Sequence, residues 1–206
     1  LVGSEMCIRD SSRARTLSKK VAADSSFGSG SFTSLGELMI ALIQRHRGHC
    51  SIESRIDSIN EKHSFDGPGL VVLLGWEKRD LEVDLESVEK KIFDKVCGMR
   101  IFPDEEGKMN YSLKQFLDEN NERGGILWVP QFTLAAKCEK GFRPSFVNAM
   151  PPDLAKNRFA QFSKKIDQAS MNCDSKDGLA HIKGVFGANM MLDFCNWGPV
   201  TIPLFF

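Results

Sequence analysis

Five consecutive apolar residues, Leu70–Leu74, restrict the fold of this chain more than any other segment. The run has the length of a strand, and its lack of polar alternation predicts a strand buried on both faces. Asp80 has a side chain suited to capping a helix. It precedes apolar residues at helical spacing, namely Leu81, Leu85, Val88, Ile92 and Val96. The domain is therefore predicted to contain both a buried sheet and an amphipathic helix packed on it.

A second helix is predicted after Pro151-Pro152-Asp153, because proline is tolerated in the first turn. Its apolar face contains Ala155, Phe159, Phe162 and Ile166. Residues 115–124 are polar and are predicted to form a surface loop. Other apolar runs predict strands at Met39–Arg45, Cys50–Ile56, Ile59–Phe65, Arg100–Phe102, Gly125–Leu134, Ile182–Phe186, Asn189–Cys195 and Val200–Phe205. Many short strands with two strong helices indicate an α+β domain rather than repeated βαβ units.

The composition excludes several classes of protein. Lysine plus arginine equals aspartate plus glutamate, 27 residues each, so RNA binding would require a local basic patch. No apolar run approaches the roughly 20 residues that span a bilayer, so we expect no membrane association. The six cysteines are scattered, which favours reduced thiols and a cytoplasmic protein.

Residues 1–38 differ in composition from residues 39–206. They are rich in serine, glycine, arginine and lysine and lack sustained apolar periodicity, which predicts disorder. We interpret them as a non-functional, artefactual extension, with a transit peptide as the alternative. We expect them to be dispensable for the domain formed by residues 39–206.

The histidines and carboxylates predict no metal site and no cofactor. His46 and His49 are three residues apart, a spacing that points them to opposite faces of a strand, so we expect ordinary surface residues. The carboxylates are spread over helices and loops and are predicted to be solvated. No histidine lies in a nucleophile signature such as G-x-S-x-G. The sequence thus offers no protein-derived acid, base or nucleophile.

Two short runs stand out from this background. Pro130-Gln131-Phe132-Thr133-Leu134 follows an apolar stretch, and by itself it indicates a core strand with a proline kink. Asn196-Trp197-Gly198-Pro199-Val200-Thr201 lies near the C-terminus, and by itself it indicates a turn.

Together and in this order, the runs resemble the SQxxL and NxGPVT motifs of the D-aminoacyl-tRNA deacylases. The resemblance covers residues 39–206. It includes further runs at 39–45, 69–75, 100–102, 107–110, 141–146, 149–152 and 184–190. It implies the fold of these deacylases, with mixed or antiparallel sheets in a barrel-like core and two main helices. It also implies a carboxylic ester hydrolase that cleaves D-aminoacyl-tRNA and glycyl-tRNA.

The resemblance assigns positioning rather than nucleophilic roles near residue 130. The N–H groups of Phe132 and Thr133 are the candidates for an oxyanion site, and Gln131 is expected to hold the ribose or adenosine end. The 2′-hydroxyl of the terminal adenosine is expected to help activate water. An apolar slot for that adenosine is expected at Phe146, Ala149, Met150 and Pro151, with Phe186 and Met190 nearby. Lys137, Lys140 and Arg143 are candidates for phosphate contacts, and a solvated face explains them nearly as well.

The resemblance makes the second run a chiral gate. Gly198 and Pro199 are expected to be joined by a cis peptide bond, to face the partner subunit's pocket in a homodimer and to exclude an L side chain. Asn196 matches the start of the motif, and Arg45 matches the arginine that supports the gate.

Two residues depart from the pattern of the D-specific deacylases. Pro130 replaces the usual serine and is similar to the PQxxL motif of the chirality-relaxed animal deacylases, which act on L-alanyl-tRNA. Trp197 is bulkier than the residues common at its position. The alternatives are therefore a chirality-relaxed deacylase or a catalytically silent RNA-binding relative.

Overall fold

The computed structural model describes residues 39–82, 84–139, 141–172 and 179–206. The predictions for residues 1–38 lie outside the described residues. No helix among those described combines the length and the apolar character needed to span a membrane.

Strands and helices follow one another in an irregular order that confirms the α+β class. The described strands are β1 (Ile40–His46), β2 (His49–Ile56), β3 (Ile59–Asp66), β4 (Gly69–Gly75), β5 (Phe102–Pro103), β6 (Met109–Tyr111), β7 (Gly124–Pro130), β8 (Leu179–Lys183), β9 (Asn189–Asp193) and β10 (Asn196–Phe205). The described α-helices are α1 (Leu85–Gly98), α2 (Leu113–Asn120) and α3 (Pro152–Asn172), and 3₁₀ turns span Lys78–Glu82 and Phe132–Ala135.

The main sheet has five strands in the order β10-β1-β4-β7-β8. β1 runs antiparallel to β10 and β4, whereas β4, β7 and β8 run parallel. A second sheet has the order β3-β2-β9, and β5 pairs with β6. Both larger sheets are open among the described residues, so the expected barrel-like closure is not found.

Two hydrophobic cores explain why the central strands are apolar throughout. Leu70, Val72 and Leu74 of β4 belong to the larger core with residues of α1 and α3. Val71 belongs to the smaller core with Cys50 and other residues of the second sheet. Because successive strand residues point to opposite faces, β4 must be apolar at every position. The prediction of a strand buried on both faces is confirmed.

The segment 115–124, predicted to be a loop, is largely helical. Ser112 and Gln115 form a capping box in which each side chain accepts a hydrogen bond from the other residue's N–H. Phe116 and Leu117 are buried by the resulting helix α2. The prediction was wrong because Phe116 and Leu117, together with Leu113 one turn earlier, form a buried helix face although the residues around them are polar.

Several predicted boundaries also differ. Helix α1 is capped by Asp84 rather than Asp80, which is buried in the preceding 3₁₀ turn. β7 ends at Pro130 instead of continuing to Leu134, because the chain turns into the 3₁₀ segment. The strand predicted at 182–186 lies at Leu179–Lys183, that at 100–102 lies at Phe102–Pro103, and the last strand begins at Asn196.

Some side chains that were predicted to be exposed are buried. His46 is fully buried, with Nδ1 3.2 Å from the Cys195 carbonyl oxygen and Nε2 3.1 Å from that of Gly48. Glu77, Asp80 and Glu89 are also buried. The surface interpretation was wrong here because backbone groups and neighbouring charged residues provide polar partners inside the fold.

Candidate functional site

A cavity of about 680 Å³ lies where β7 ends. It is lined by Lys78, Pro130, Gln131, Phe132, Phe146, Ala149, Met150, Pro151, Pro152, Phe186, Gly187, Ala188, Asn189, Met190 and Leu192. The structure therefore brings together the candidates for the apolar slot with Gln131 and Phe132. Thr133 and the predicted gate residues are not part of this lining.

Backbone pairing holds one wall of the cavity. The Lys78 N–H donates to the Asn148 carbonyl at 2.8 Å, and the Met150 N–H donates to the Trp76 carbonyl at 3.0 Å. Ala149 and Met150 are buried by this pairing, whereas the Phe132 ring is half exposed and meets the Phe146 ring edge-on at 5.1 Å. The cavity thus has a buried floor and an accessible aromatic rim.

A buried carboxylate supports the same wall. Asp80 Oδ2 accepts a hydrogen bond of 2.6 Å from the Glu77 N–H, one residue before Lys78. Burial raises the pKa of Asp80 to about 6, and the nearby Glu77 carboxylate adds to the shift. Sequence reasoning missed this support, because a carboxylate near a helix start is usually a solvated cap.

The 3₁₀ turn after β7 presents two N–H groups at its start. The Gln131 N–H donates to the Leu74 carbonyl at 2.7 Å, and the first hydrogen bond inside the turn runs from the Leu134 N–H to the Gln131 carbonyl at 3.4 Å. Phe132 and Thr133 come just before Leu134 in the chain. The first N–H groups of a helical turn, here those of Phe132 and Thr133, have no hydrogen-bond partner inside the turn. The Thr133 hydroxyl accepts a hydrogen bond from the Gln131 side-chain amide.

The predicted gate forms a bulge at the start of β10. His46 pairs with Asn196 and Gln44 pairs with Thr201, so the single residue Arg45 faces the four residues 197–200. The peptide bond between Gly198 and Pro199 is cis, which confirms the prediction. Both residues are exposed, as a gate toward another surface requires.

Arg45 and Asn196 hold the bulge through directional hydrogen bonds. Arg45 is buried, and its Nε donates to the Trp197 carbonyl at 3.0 Å while Nη1 donates to the Ile101 carbonyl at 2.6 Å. Burial lowers the pKa of Arg45. Asn196 Oδ1 accepts from the Val200 N–H at 3.0 Å, and its amide donates to Thr201 Oγ1. Arg45 and Asn196 therefore both hold the 197–201 segment by hydrogen bonds, and their role at a chiral gate stays a prediction.

The cavity and the gate lie at opposite ends of the sheet. The strand register across β10, β1, β4 and β7 places Asn196 in line with Gly125, near the start of β7, and Thr201 in line with Leu127. Gln131 follows the other end of β7. The gate and Gln131 are therefore four to six residues apart along the strand direction and three strands apart across the sheet. These spacings correspond to a distance of about 20 Å between the gate and the cavity. One copy of the chain does not bring the two predicted walls together.

The basic cluster is only partly described. Lys137 and Arg143 are exposed, and Lys137 pairs with Ser145 through the backbone. Neither residue lines the cavity. Lys140 lies outside the described residues, so the phosphate-binding role of the cluster stays a prediction. Within the described ranges, no group of three or more histidine, cysteine or acidic side chains is arranged to hold a metal ion.

Known proteins resemble this chain over most of its length. A D-aminoacyl-tRNA deacylase of Legionella pneumophila (strain Corby) is 40% identical over 168 residues, which are 82% of this chain and 100% of the relative. A protein of the same name from Proteus mirabilis (strain HI4320) is 39% identical over 163 residues, which are 79% and 97% of the two chains.

Two solved structures have a similar fold. One is the c-Myc DNA Unwinding Element Binding Protein, with 30% identity, a TM-score of 0.56 and coverage of 80% of this chain and 97% of the other. The other is a probable eukaryotic D-amino acid tRNA deacylase, with a TM-score of 0.58 and coverage of 82% and 100%. Its identity of 19% supports similarity of fold alone.

The family described as D-Tyr-tRNA(Tyr) deacylase matches residues 43–204, a range that includes both the cavity and the gate. This match and the relatives at about 40% identity agree with the two motifs found in the sequence. The chain therefore belongs to the D-aminoacyl-tRNA deacylase family.

Proposed function

We propose that this chain hydrolyses the ester bond between a D-amino acid, or glycine, and tRNA. Family membership gives the reaction class. The observation that carries the proposal is the cavity beside the 3₁₀ turn, because its apolar slot is lined by Gln131 and Phe132, where the turn that carries the Phe132 and Thr133 N–H groups begins. An aminoacyl ester is already activated, so orientation and stabilisation of the oxyanion supply much of the required acceleration.

In the proposed reaction, water attacks the ester carbonyl carbon and the carbonyl oxygen becomes negatively charged. The two N–H groups donate hydrogen bonds to this oxygen. The carbon–oxygen bond to the ribose then breaks, and the ribose oxygen takes up a proton. The substrate's own 2′-hydroxyl helps to activate the water, as the resemblance implies. Thr133 is a positioning residue, since its hydroxyl is engaged by the Gln131 amide.

We infer that the gate acts on the cavity of a partner subunit in a homodimer. The gate is about 20 Å from the cavity of its own chain, farther than the length of an aminoacyl group. β10 is an edge strand with an alternating half-buried pattern, so its exposed edge is available for an isologous contact. A cytoplasmic location, where charged tRNA is used in translation, is part of the same proposal.

The direct test is hydrolysis of D-Tyr-tRNA, Gly-tRNA and L-Ala-tRNA by the purified chain. We expect cleavage of D-Tyr-tRNA and Gly-tRNA and slow cleavage of L-Ala-tRNA. If none of the three substrates is cleaved, the chain is a catalytically silent RNA-binding relative. A substrate that ends in 2′-deoxyadenosine should be hydrolysed much more slowly.

A chirality-relaxed deacylase is the second candidate, because Pro130 lines the cavity at the position where serine is usual in the D-specific motif. Rapid cleavage of L-Ala-tRNA in the same assay would favour it. Pro130→Ser should then reduce that cleavage and leave D-Tyr-tRNA hydrolysis intact.

Mixed dimers test the action of the gate in trans. Gln131→Ala impairs the cavity, and Pro199→Ala impairs the gate. If the gate serves the partner's cavity, co-expression of the two variants restores part of the activity, because one site per mixed dimer has both walls intact. No restoration, or a fully active monomer by light scattering, would contradict the trans arrangement.

A further inference from the structure

Trp197 occupies an unusual environment at the base of the gate. Its ring lies under the Arg45 guanidinium, with Cζ 4.3 Å from the ring centroid, and Arg47 Cζ lies 5.0 Å from the same centroid. The rings of Phe102 and Phe116 lie 6.2 and 6.0 Å away, tilted by 55° and 60°. The residue just before Gly198 is thus held by two cations and two aromatic rings.

Helix α2 supplies half of this environment. Phe116 is buried on α2, and its ring also lies 5.9 Å from Arg47 Cζ. Arg47 Nη2 donates to Glu122 Oε1 at 3.1 Å, immediately beyond the end of α2. The helix is therefore tied to β1 through Arg47 and to β10 through Trp197. We call Trp197, Phe116 and Arg47 the aromatic support.

The aromatic support bears on Arg45, the residue that holds the gate. Among the described residues, no carboxylate lies within ion-pairing distance of Arg45. Its buried charge is instead compensated by two backbone carbonyls and by the face of the Trp197 ring. The ring and the carbonyl of Trp197 thus both contact the same guanidinium, so the ring orientation is coupled to the backbone position.

That coupling extends to Gly198. A methyl group at position 198 would lie 2.7 Å from Arg45 Nη2, so the guanidinium is packed directly against the gate backbone. Closely packed groups transmit displacements because few voids absorb them. A shift of the Trp197 ring therefore moves or loosens the gate.

We propose that the aromatic support is a positioning unit that makes Trp197 a specificity-determining residue of this chain. The inference rests on the proposed function, because it concerns rejection of the L substrate. Trp197 acts through Arg45 and Gly198 and needs no contact with the substrate. A gate that discriminates by steric rejection loses discrimination when it becomes mobile, mainly because the rejected substrate gains access.

The test compares D-Tyr-tRNA with L-Tyr-tRNA hydrolysis in variants of the full chain. Trp197→Ala should lower the D-to-L ratio of kcat/KM about tenfold, mostly by raising the L rate. Trp197→Phe should retain most of the ratio. Arg47→Gln, a change at an exposed side chain, should lower it about twofold. Phe93→Ala is the matched control, because Phe93 stacks on Trp128 and His181, with no described ring contact to Trp197.

Hydrogen exchange gives a readout that does not depend on activity. Backbone amides of residues 196–198, 200 and 201 should exchange faster in Trp197→Ala and in Phe116→Leu than in Phe93→Ala, at comparable global stability. An unchanged ratio and unchanged exchange in Trp197→Ala would overturn the inference while the proposed function stands. If Trp197→Ala does not fold, Phe116→Leu and Arg47→Gln decide, and an unchanged ratio with unchanged exchange in both overturns the inference. Equal hydrolysis of D- and L-Tyr-tRNA by the unmodified chain would instead overturn the D-specific function itself.

Discussion

The cavity and the gate are built by different kinds of interaction. One wall of the cavity, lined mostly by apolar residues, is held by backbone pairing of residues 76–78 with residues 148–150, and its floor at Ala149 and Met150 is buried. The gate is an exposed bulge on an edge strand, held by side chains of Arg45 and Asn196. The cavity thus depends on the same apolar packing as the core, whereas the gate depends on a few directional hydrogen bonds.

This difference predicts different responses to mutation. Apolar contacts around the cavity are numerous and non-directional, so changes there should act gradually. Each hydrogen bond at the gate has one geometry, and loss of the Arg45 guanidinium leaves the buried Ile101 carbonyl without its donor. Single substitutions at the gate should therefore cause abrupt losses of selectivity.

Arg45→Met should have the largest effect. It leaves the Ile101 and Trp197 carbonyls without their donor, and we expect a loss of about 2–4 kcal/mol in the free energy of unfolding. Discrimination between D- and L-Tyr-tRNA should be largely lost. Urea denaturation and paired hydrolysis rates measure the two effects.

Arg55→Gln is the matched arginine control for stability. Arg55 pairs with Glu53 at the surface, so its loss should cost less than about 1 kcal/mol. Equal destabilisation by the two arginine substitutions would show that the gate does not depend on the buried hydrogen bonds of Arg45.

A glycine pair compares the two regions directly. Gly198 and Gly187 both have positive φ, +126° and +78°. A methyl group at 198 would meet Arg45 Nη2 at 2.7 Å, whereas at 187, on the cavity lining, the nearest atom would be 3.9 Å away. Gly198→Ala should reduce D-Tyr-tRNA hydrolysis about tenfold, and Gly187→Ala should change it by less than about threefold. The reverse order would mean that the cavity rim is the more constrained region.

The buried Asp80 makes the cavity wall sensitive to pH. Its pKa in the folded protein is raised to about 6, above the value of about 4 in an unfolded chain. The folded state therefore binds the proton more tightly, and stability falls as pH rises from about 4 to about 6, by at most about 3 kcal/mol. Asp80→Asn should flatten this part of the profile in urea denaturation. Glu105→Gln is the control at an exposed carboxylate, and with it the change in the free energy of unfolding between about pH 4 and about pH 6 should resemble that of the unmodified chain.

Thr133→Ala should have only a small effect. Thr133 does not line the cavity, and its proposed contribution is the backbone N–H, which alanine keeps. We expect hydrolysis within about fivefold of the unmodified chain. A trapped acyl-enzyme on Thr133, or complete loss of activity in a folded variant, would identify the hydroxyl as a nucleophile.

The core could be predicted from the sequence because burial selects apolar residues at regular spacing. The apolar run Leu70–Leu74 and the face of α3 reflect burial, which is the strongest constraint on residue type. The cis peptide bond and the position of Arg45 came from the resemblance, since no periodicity encodes either feature.

The sequence did not predict contacts made between distant elements. Helix α2 is short and has three buried residues, Leu113, Phe116 and Leu117, so its clearest sequence signal was the capping box from Ser112 to Gln115. The burial of His46 and Asp80 depends on partners that the fold brings together. The separation of cavity and gate follows from strand order and register, which a single sequence does not specify.

The pairing of β1 with β10 has a consequence for how the domain is assembled. It joins the first and last described strands, so Gln44 meets Thr201 although the two residues are 157 positions apart along the chain. Closing so long a loop carries a large entropic cost, and such contacts form late. During synthesis, β4 and β7 emerge well before β10. A nascent chain therefore holds the parts of the cavity at Gln131 and Ala149–Met150 early, whereas the lining at Phe186–Leu192 and the gate are added together near the end. The complete substrate slot and its stereochemical control would be acquired at the same late stage of synthesis.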